Sequence, residues 1–328
     1  MQYPAGPTGR APRGSTNART PAWCCGRPTG RRCAESLFLF MTFEPGDNPM
    51  ERRRFLESSG ALGAAAAATV ASAAATALPG CSSAAPAARP SGKTFVLVHG
   101  AWHGAWSWER LTPLLRARGH EVRVLTLAGV GERIGEISTA IDLETHIADV
   151  TGFIRSQDLR QVVLVGHSYG GYPITGALDR LAAERRIDTV VYLDAFAPHN
   201  GERMLDYLDA TGKAELQAAH RAGNPRWPKL PAKAFGLGNP ADIAWVDARL
   251  TDHPNGTYLQ PISLRAAPGA AARKRLYIAA SAPAMPVFDA HKARLRNDPA
   301  WTFVEVQGGH DAMVDHADTI ARLLDAHA

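Results

Sequence analysis

Apolar positions along this chain follow two alternating periods, and the alternation begins near residue 93. Six short runs are rich in apolar, β-forming residues: "KTFVLVHG" (93–100), "EVRVLTL" (121–127), "QVVLVG" (161–166), "DTVVYLDAF" (188–196), "KRLYIAA" (274–280) and "WTFVEVQ" (301–307). Between them, apolar residues fall three and four apart in "WERLTPLLRARGH", in "LETHIADVTGFIRSQ" with Asp142 before its start, and in "GYPITGALDRLAAERR". Two further stretches of this kind cover roughly 286–296 and 314–327. The first pattern predicts strands buried on both faces and the second predicts amphipathic helices. Strands and helices in turn predict an α/β fold, a mostly parallel central sheet with helices on both faces.

Residues 196–272 break the alternation. They are rich in Pro and Gly and carry only short helical patches, as in "NPRWPKLPAKAFGLGNPADIAWVDARL". The stretch is too long for a plain loop, so it reads as a cap inserted over one end of the sheet of a domain spanning 93–328.

The first 92 residues have a different character. Residues 1–49 are rich in Pro, Gly and Arg without apolar periodicity, which reads as a non-translated or disordered extension. From Met50 the chain runs "MERRRFLESSGALGAAAAATVASAAATALPGCSS". Arg52 to Arg54 with Phe55 and Leu56 resemble a twin-arginine export signal. The Ala-rich stretch after them is too short and weakly apolar for a membrane span. Leu78-Pro79-Gly80-Cys81 resembles a lipobox, with Cys81 as the residue to be acylated; the other reading is a cleaved signal ending at Ala75-Thr76-Ala77. Residues 82–92 read as a flexible linker. The expected location is exported, periplasmic or extracellular, with membrane attachment through Cys81 as an option.

Charge sharpens this division. The formal net charge is +5, but residues 1–81 hold nine of the 36 Lys and Arg and five of the 31 Asp and Glu. The remainder is close to neutral, so no nucleic-acid surface is implied. All four cysteines lie in 1–81. The folded part therefore makes no disulfide and no thiolate metal site.

The chemistry concentrates at strand ends. Gly166-His167-Ser168-Tyr169-Gly170 follows a strand and precedes a helix, the context of a nucleophile elbow. Ser168 is the candidate nucleophile. A serine hydroxyl needs a base, and His310 lies just beyond the last strand, after two glycines. His316 is the competitor, inside the final helix. The base needs a carboxylate. The usual place, after "RLYIAA", holds "SAPAMP" with no acid before Asp289, whereas the preceding strand ends at Asp194. Asp194 is favoured and Asp289 is the alternative. Oxyanion donors are expected from the N–H groups of Tyr169 and Ala101, with Trp102 as the alternative for the latter. Trp102, His167, Trp227, Trp245, His253 and Tyr258 are candidate pocket residues. Glu132 and Arg133 line the entrance or face solvent. His99 and His103 have no acidic or cysteine company in sequence, so no metal and no other cofactor is expected.

Taken together, "VLVHGAWHGAWSW", "LLRARGHEV", "VVLVGHSYGG" and "GGHDAM" resemble the α/β-hydrolase superfamily, over residues 93–328. Within it they resemble the branch of small-ester esterases, plant methyl esterases and hydroxynitrile lyases. The placement of the acid resembles some haloalkane dehalogenases, whose nucleophile is aspartate where this chain has Ser168. Lyases of this branch carry threonine after the His of the first loop and lysine after the catalytic His; here those places hold Gly100 and Asp311. The resemblance therefore implies hydrolysis of small carboxylic esters through a Ser-His-Asp triad. Lactone or amide hydrolysis, C–C cleavage, and a non-catalytic ligand-binding protein are the alternatives.

Overall fold

The computed structural model describes residues 92–328. The extension, the export signal with Cys81, and all of the linker but Gly92 lie outside the described residues. Among the described residues no helix is long and apolar enough to cross a membrane.

Six parallel strands form the central sheet: β1 (Thr94–Val98), β2 (Glu121–Leu125), β3 (Val162–His167), β4 (Ile187–Leu193), β7 (Lys274–Ala280) and β8 (Thr302–Val306). Their spatial order is β2-β1-β3-β4-β7-β8. The interior strand β3 is buried at every position, while edge strand β2 alternates exposed and buried residues. That difference explains why the interior strands read as unbroken apolar runs.

Alternate residues of each strand feed two cores. Val96, Val98 and Leu164 pack with α2 (Leu143–Ser156) and α3 (Gly171–Arg180). Phe95, Leu97 and Val165 pack with α1 (Leu111–Ala117) and α9 (Ala317–His327). Helix α2 starts where its sequence says it should: Asp142 caps the Thr145 N–H at 2.9 Å in a reciprocal capping box.

Between β4 and β7 the chain builds the cap, from α4 (Ala210–Arg221), α5 (Pro240–Asp247), α6 (Gly256–Leu259) and a short antiparallel pair, β5 (Arg226–Trp227) with β6 (His253–Pro254). Helix α7 (Asp289–Arg296) joins β7 to β8, and α8 (Ala312–Asp315) follows β8. The chain reverses direction across the sheet at β1, whose two neighbours are β2 and β3. Ligand sites in such sheets lie beyond the carboxyl ends of the strands at that reversal. The loops after β1, β3, β4 and β8 all start from this carboxyl end of the sheet. One close approach ties two of them together. A Cβ on Gly171 would lie 1.8 Å from the Phe196 carbonyl oxygen, and the Phe196 N–H donates to the Ser168 carbonyl at 3.2 Å.

Candidate active site

The turn after β3 is tight enough to exclude side chains two positions before and two positions after Ser168, at 166 and 170. A Cβ on Gly166 would meet Ile174 Cδ1 at 2.6 Å and the Gly170 oxygen at 2.7 Å; one on Gly170 would meet the His99 oxygen at 2.7 Å. Ser168 itself has φ +54°, in the left-handed region. Trp102 (+65°) after β1 and Asp194 (+40°) after β4 share that conformation. Three non-glycine residues held there at adjacent strand ends represent stored backbone strain of a kind that clusters at functional sites.

Asp194 is fully buried, and its Oδ2 accepts from His310 Nδ1 at 2.7 Å. The other oxygen accepts the Ala280 N–H at 3.1 Å and the Lys292 ammonium at 2.8 Å. Burial pushes this carboxyl upward, but His310 and Lys292 outweigh it and hold it below the ordinary aspartate value. With Nδ1 so engaged, Nε2 is the nitrogen of His310 left for a substrate or for Ser168. Asp289 is exposed at the start of α7, and His316 pairs with its neighbour Asp315 at 2.7 Å. The structure brings Asp194, and not Asp289, to His310.

The loop after β1 is held by hydrogen bonds on both sides. The Trp102 N–H donates to His253 Nδ1 at 3.3 Å, and His103 Nδ1–H donates to the Ala101 carbonyl at 2.7 Å. Trp102's N–H is thus already used, so of the two candidate oxyanion donors in this loop only the Ala101 N–H is left as a candidate.

Residues 95–323 match the sequence pattern of the alpha/beta hydrolase family. The chain belongs to that family. It is 38% identical over 242 residues to a carbendazim hydrolyzing esterase of Nocardioides sp., covering 71% of this chain and 98% of the relative. It is 32% identical to salicylic acid-binding protein 2 of Nicotiana tabacum, over 52% of this chain and 71% of the relative. Among solved structures, an extracellular alpha/beta-hydrolase from a Paenibacillus species superposes with a TM-score of 0.60 at 24% identity, over 71% of this chain and 97% of that one. This last likeness bears on the fold alone.

In this α/β hydrolase, several residues expected to line a pocket instead form the frame behind it. His167 is fully buried and donates from Nε2 to the His310 carbonyl at 3.0 Å. His253 is also fully buried, with Nε2 donating to Thr257 Oγ1 at 3.0 Å. Tyr258 stacks on Tyr169 with ring centroids 6.1 Å apart. Trp245 sits between the guanidinium groups of Arg110 and Arg249, on the partly exposed face of α5. Trp102 and Trp227 stay together, the indole of Trp102 donating to the Trp227 carbonyl at 3.4 Å. Glu132 accepts from Thr126, while Arg133 pairs with Glu136 and Asp149; both brace the 131–136 turn.

The expectation that His103 lacks acidic company is corrected by the fold. Asp311, fully buried and next to His310, lies 3.1 Å from His103 Nε2. Burial opposes both charges, yet the pair raises His103 and lowers Asp311, which makes a buried imidazolium–carboxylate contact. Sequence offered no signal for a partner 208 positions away. His167, His310 and Asp311 bring three ligand-type atoms within 4.8 Å of one another. Each of these residues already serves the frame: His310 binds Asp194, His167 binds the His310 carbonyl, and Asp311 binds His103.

Five buried imidazoles are held neutral. Burial lowers His99 and His167 to about 3 and His146 and His291 to about 4, and drives His253 well below the ordinary histidine value. In the unfolded chain the same groups protonate as pH falls through about 6.5. Unfolding therefore takes up protons between that point and the folded values, so stability falls as pH falls through the window. His103 works in the opposite sense, since its contribution is present below about 6.5 and lost as pH rises through its raised value. Five histidines outweigh one. Urea unfolding of the full chain is expected to show stability dropping by about 2 kcal/mol or more from pH 6.5 to 4.5. A flat profile would contradict the neutral assignment.

Proposed function

We propose that the protein is a serine hydrolase that cleaves small carboxylic esters through an acyl-enzyme. The observation that carries this reading is the 2.7 Å contact between His310 Nδ1 and Asp194, set at the same edge of the sheet as the strained Ser168 turn. Membership of the alpha/beta hydrolase family and the esterase names of its relatives support it.

In this mechanism His310 Nε2 takes the Ser168 proton as the hydroxyl attacks the ester carbonyl. The N–H groups of Ala101 and Tyr169 receive the oxyanion. His310 then gives its proton to the leaving alcohol. Water, activated by the same nitrogen, releases the acid and restores Ser168. Asp194 keeps Nδ1 protonated throughout and stabilises the transient imidazolium. The charge beside His310 disfavours the lyase alternative. Where the lyases of this branch carry an ammonium, this chain has the Asp311 carboxylate, paired with His103.

The twin-arginine resemblance at Arg52–Arg54 and the lipobox resemblance at Cys81 support export of the chain, with lipid attachment as its finer form. Fractionation of the producing cells tests this, with the protein expected outside the cytoplasm and a purely cytoplasmic protein contradicting it.

Hydrolysis of p-nitrophenyl acetate, butyrate and octanoate tests the enzymatic reading. The parent chain is expected to turn over at least one of them. Ser168→Ala and Asp194→Asn should each lower kcat by at least about a thousandfold. Equal rates in parent and Ser168→Ala would overturn the assignment.

A further inference from the structure

Strand β7 ends at Ala280, where this fold usually places the triad acid, and no carboxylate follows it there. The structure puts a cation at that place instead. Lys292, from α7, reaches back with its ammonium 2.8 Å from the Ala280 carbonyl and 2.8 Å from Asp194 Oδ1. It is only 8% exposed, and Asp194 is 0% exposed. A buried lysine is rare and costly to desolvate. Packing does not call for one here, because Oδ1 already has the Ala280 N–H as a donor.

The other groups around the pair make no comparable contact. From the end of β3, His167 faces the His310 ring at 4.5 Å and is neutral. Asp311 faces His103 of the first loop, and the two charges offset each other. From β7, Tyr277 donates to the Ala195 carbonyl; from α7, Arg294 donates to the Ala197 carbonyl. Phe288 and Phe235 flank the His310 ring. Among the described residues Lys292 is therefore the one permanent cation in contact with Asp194.

We propose that Lys292 is a positioning residue of the triad: it fixes the second oxygen of Asp194, and its charge sets the pH at which His310 becomes a free base. An unopposed carboxylate in so dry a site would hold the imidazolium proton tightly and leave the base occupied at neutral pH. The ammonium offsets part of that field while the Oδ2 contact still orients the ring. This rests on the proposed role of His310 as base, although the electrostatic effect itself needs no substrate.

The test uses the full chain, Lys292→Met and Lys292→Gln. Glutamine keeps a donor without the charge, so it separates geometry from electrostatics and also serves if the methionine variant folds poorly. Two quantities are followed against pH: kcat/KM on p-nitrophenyl butyrate, and the imidazole signals of ¹⁵N-histidine-labelled protein without substrate, with His310 assigned through His310→Gln. In both Lys292 variants the acid limb and the His310 titration are expected to move up by about one pH unit. The methionine variant should also lose up to about tenfold in kcat, and the glutamine variant less. An unmoved limb and an unmoved titration in both variants, whatever the loss in kcat, would overturn the proposal. If the parent hydrolyses no ester, the esterase reading fails, and the NMR titration still decides the role of Lys292.

Discussion

A 2.7 Å hydrogen bond joins Asp194, at the end of β4, to His310, beyond the end of β8, across 116 residues of chain. Two neighbouring strand pairings have to be in register for it to form. Leu193 must sit opposite Ile278, and Ala280 opposite Val306. A slip of one residue would turn Asp194 toward the other face of the sheet. The bond also needs its carboxylate ionised where Asp194 is fully buried. Three donors meet that need: the His310 ring, the Ala280 N–H and the Lys292 ammonium. The strained left-handed backbone at Ser168 and Asp194 is tolerated because the sheet on one side and the Phe196–Ser168 hydrogen bond on the other fix those turns.

Behind this bond lies a layer of imidazoles that do no chemistry of their own. His99 accepts the Leu127 N–H and lies against the Gly100 carbonyl; His146 joins the Ala128 carbonyl to the Tyr169 hydroxyl; His253 joins the first loop to the cap. A neutral imidazole has one donor and one acceptor in fixed directions, so each can join two loops. The His103–Asp311 pair does the same with charge. It ties the loop after β1 to the residue after His310. Preorganisation of this kind keeps the donors aimed at where negative charge develops and avoids rearrangement during reaction.

The sheet and the elbow were legible in the sequence because the constraints there are local. Strands buried on both faces must be apolar throughout, and a strand–turn–helix with glycine at 166 and 170 has few other uses. The candidacy of Asp194 as partner of His310 was readable from an apolar strand ending in a carboxylate and another ending in none, and the structure places the two 2.7 Å apart. The cap was not legible in detail. Helix α5 has buried residues without a steady apolar stripe, and β5 and β6 are two residues each. Lys292 was hidden for a physical reason: in "DAHKARLR" it reads as one more charged position on a solvent-facing helix. Nor could spacing reveal that Asp311 meets His103, or that both nitrogens of His253 are engaged inside the frame and not at a pocket wall.

The most direct test of the central claim is reaction with paraoxon, which phosphorylates an activated serine and releases p-nitrophenol. Release of one equivalent per chain is expected, with loss of ester hydrolysis in step with it and a phosphoryl group that peptide mapping places on Ser168. Ester turnover that persists after full phosphorylation of Ser168, or a label on another residue, would contradict it.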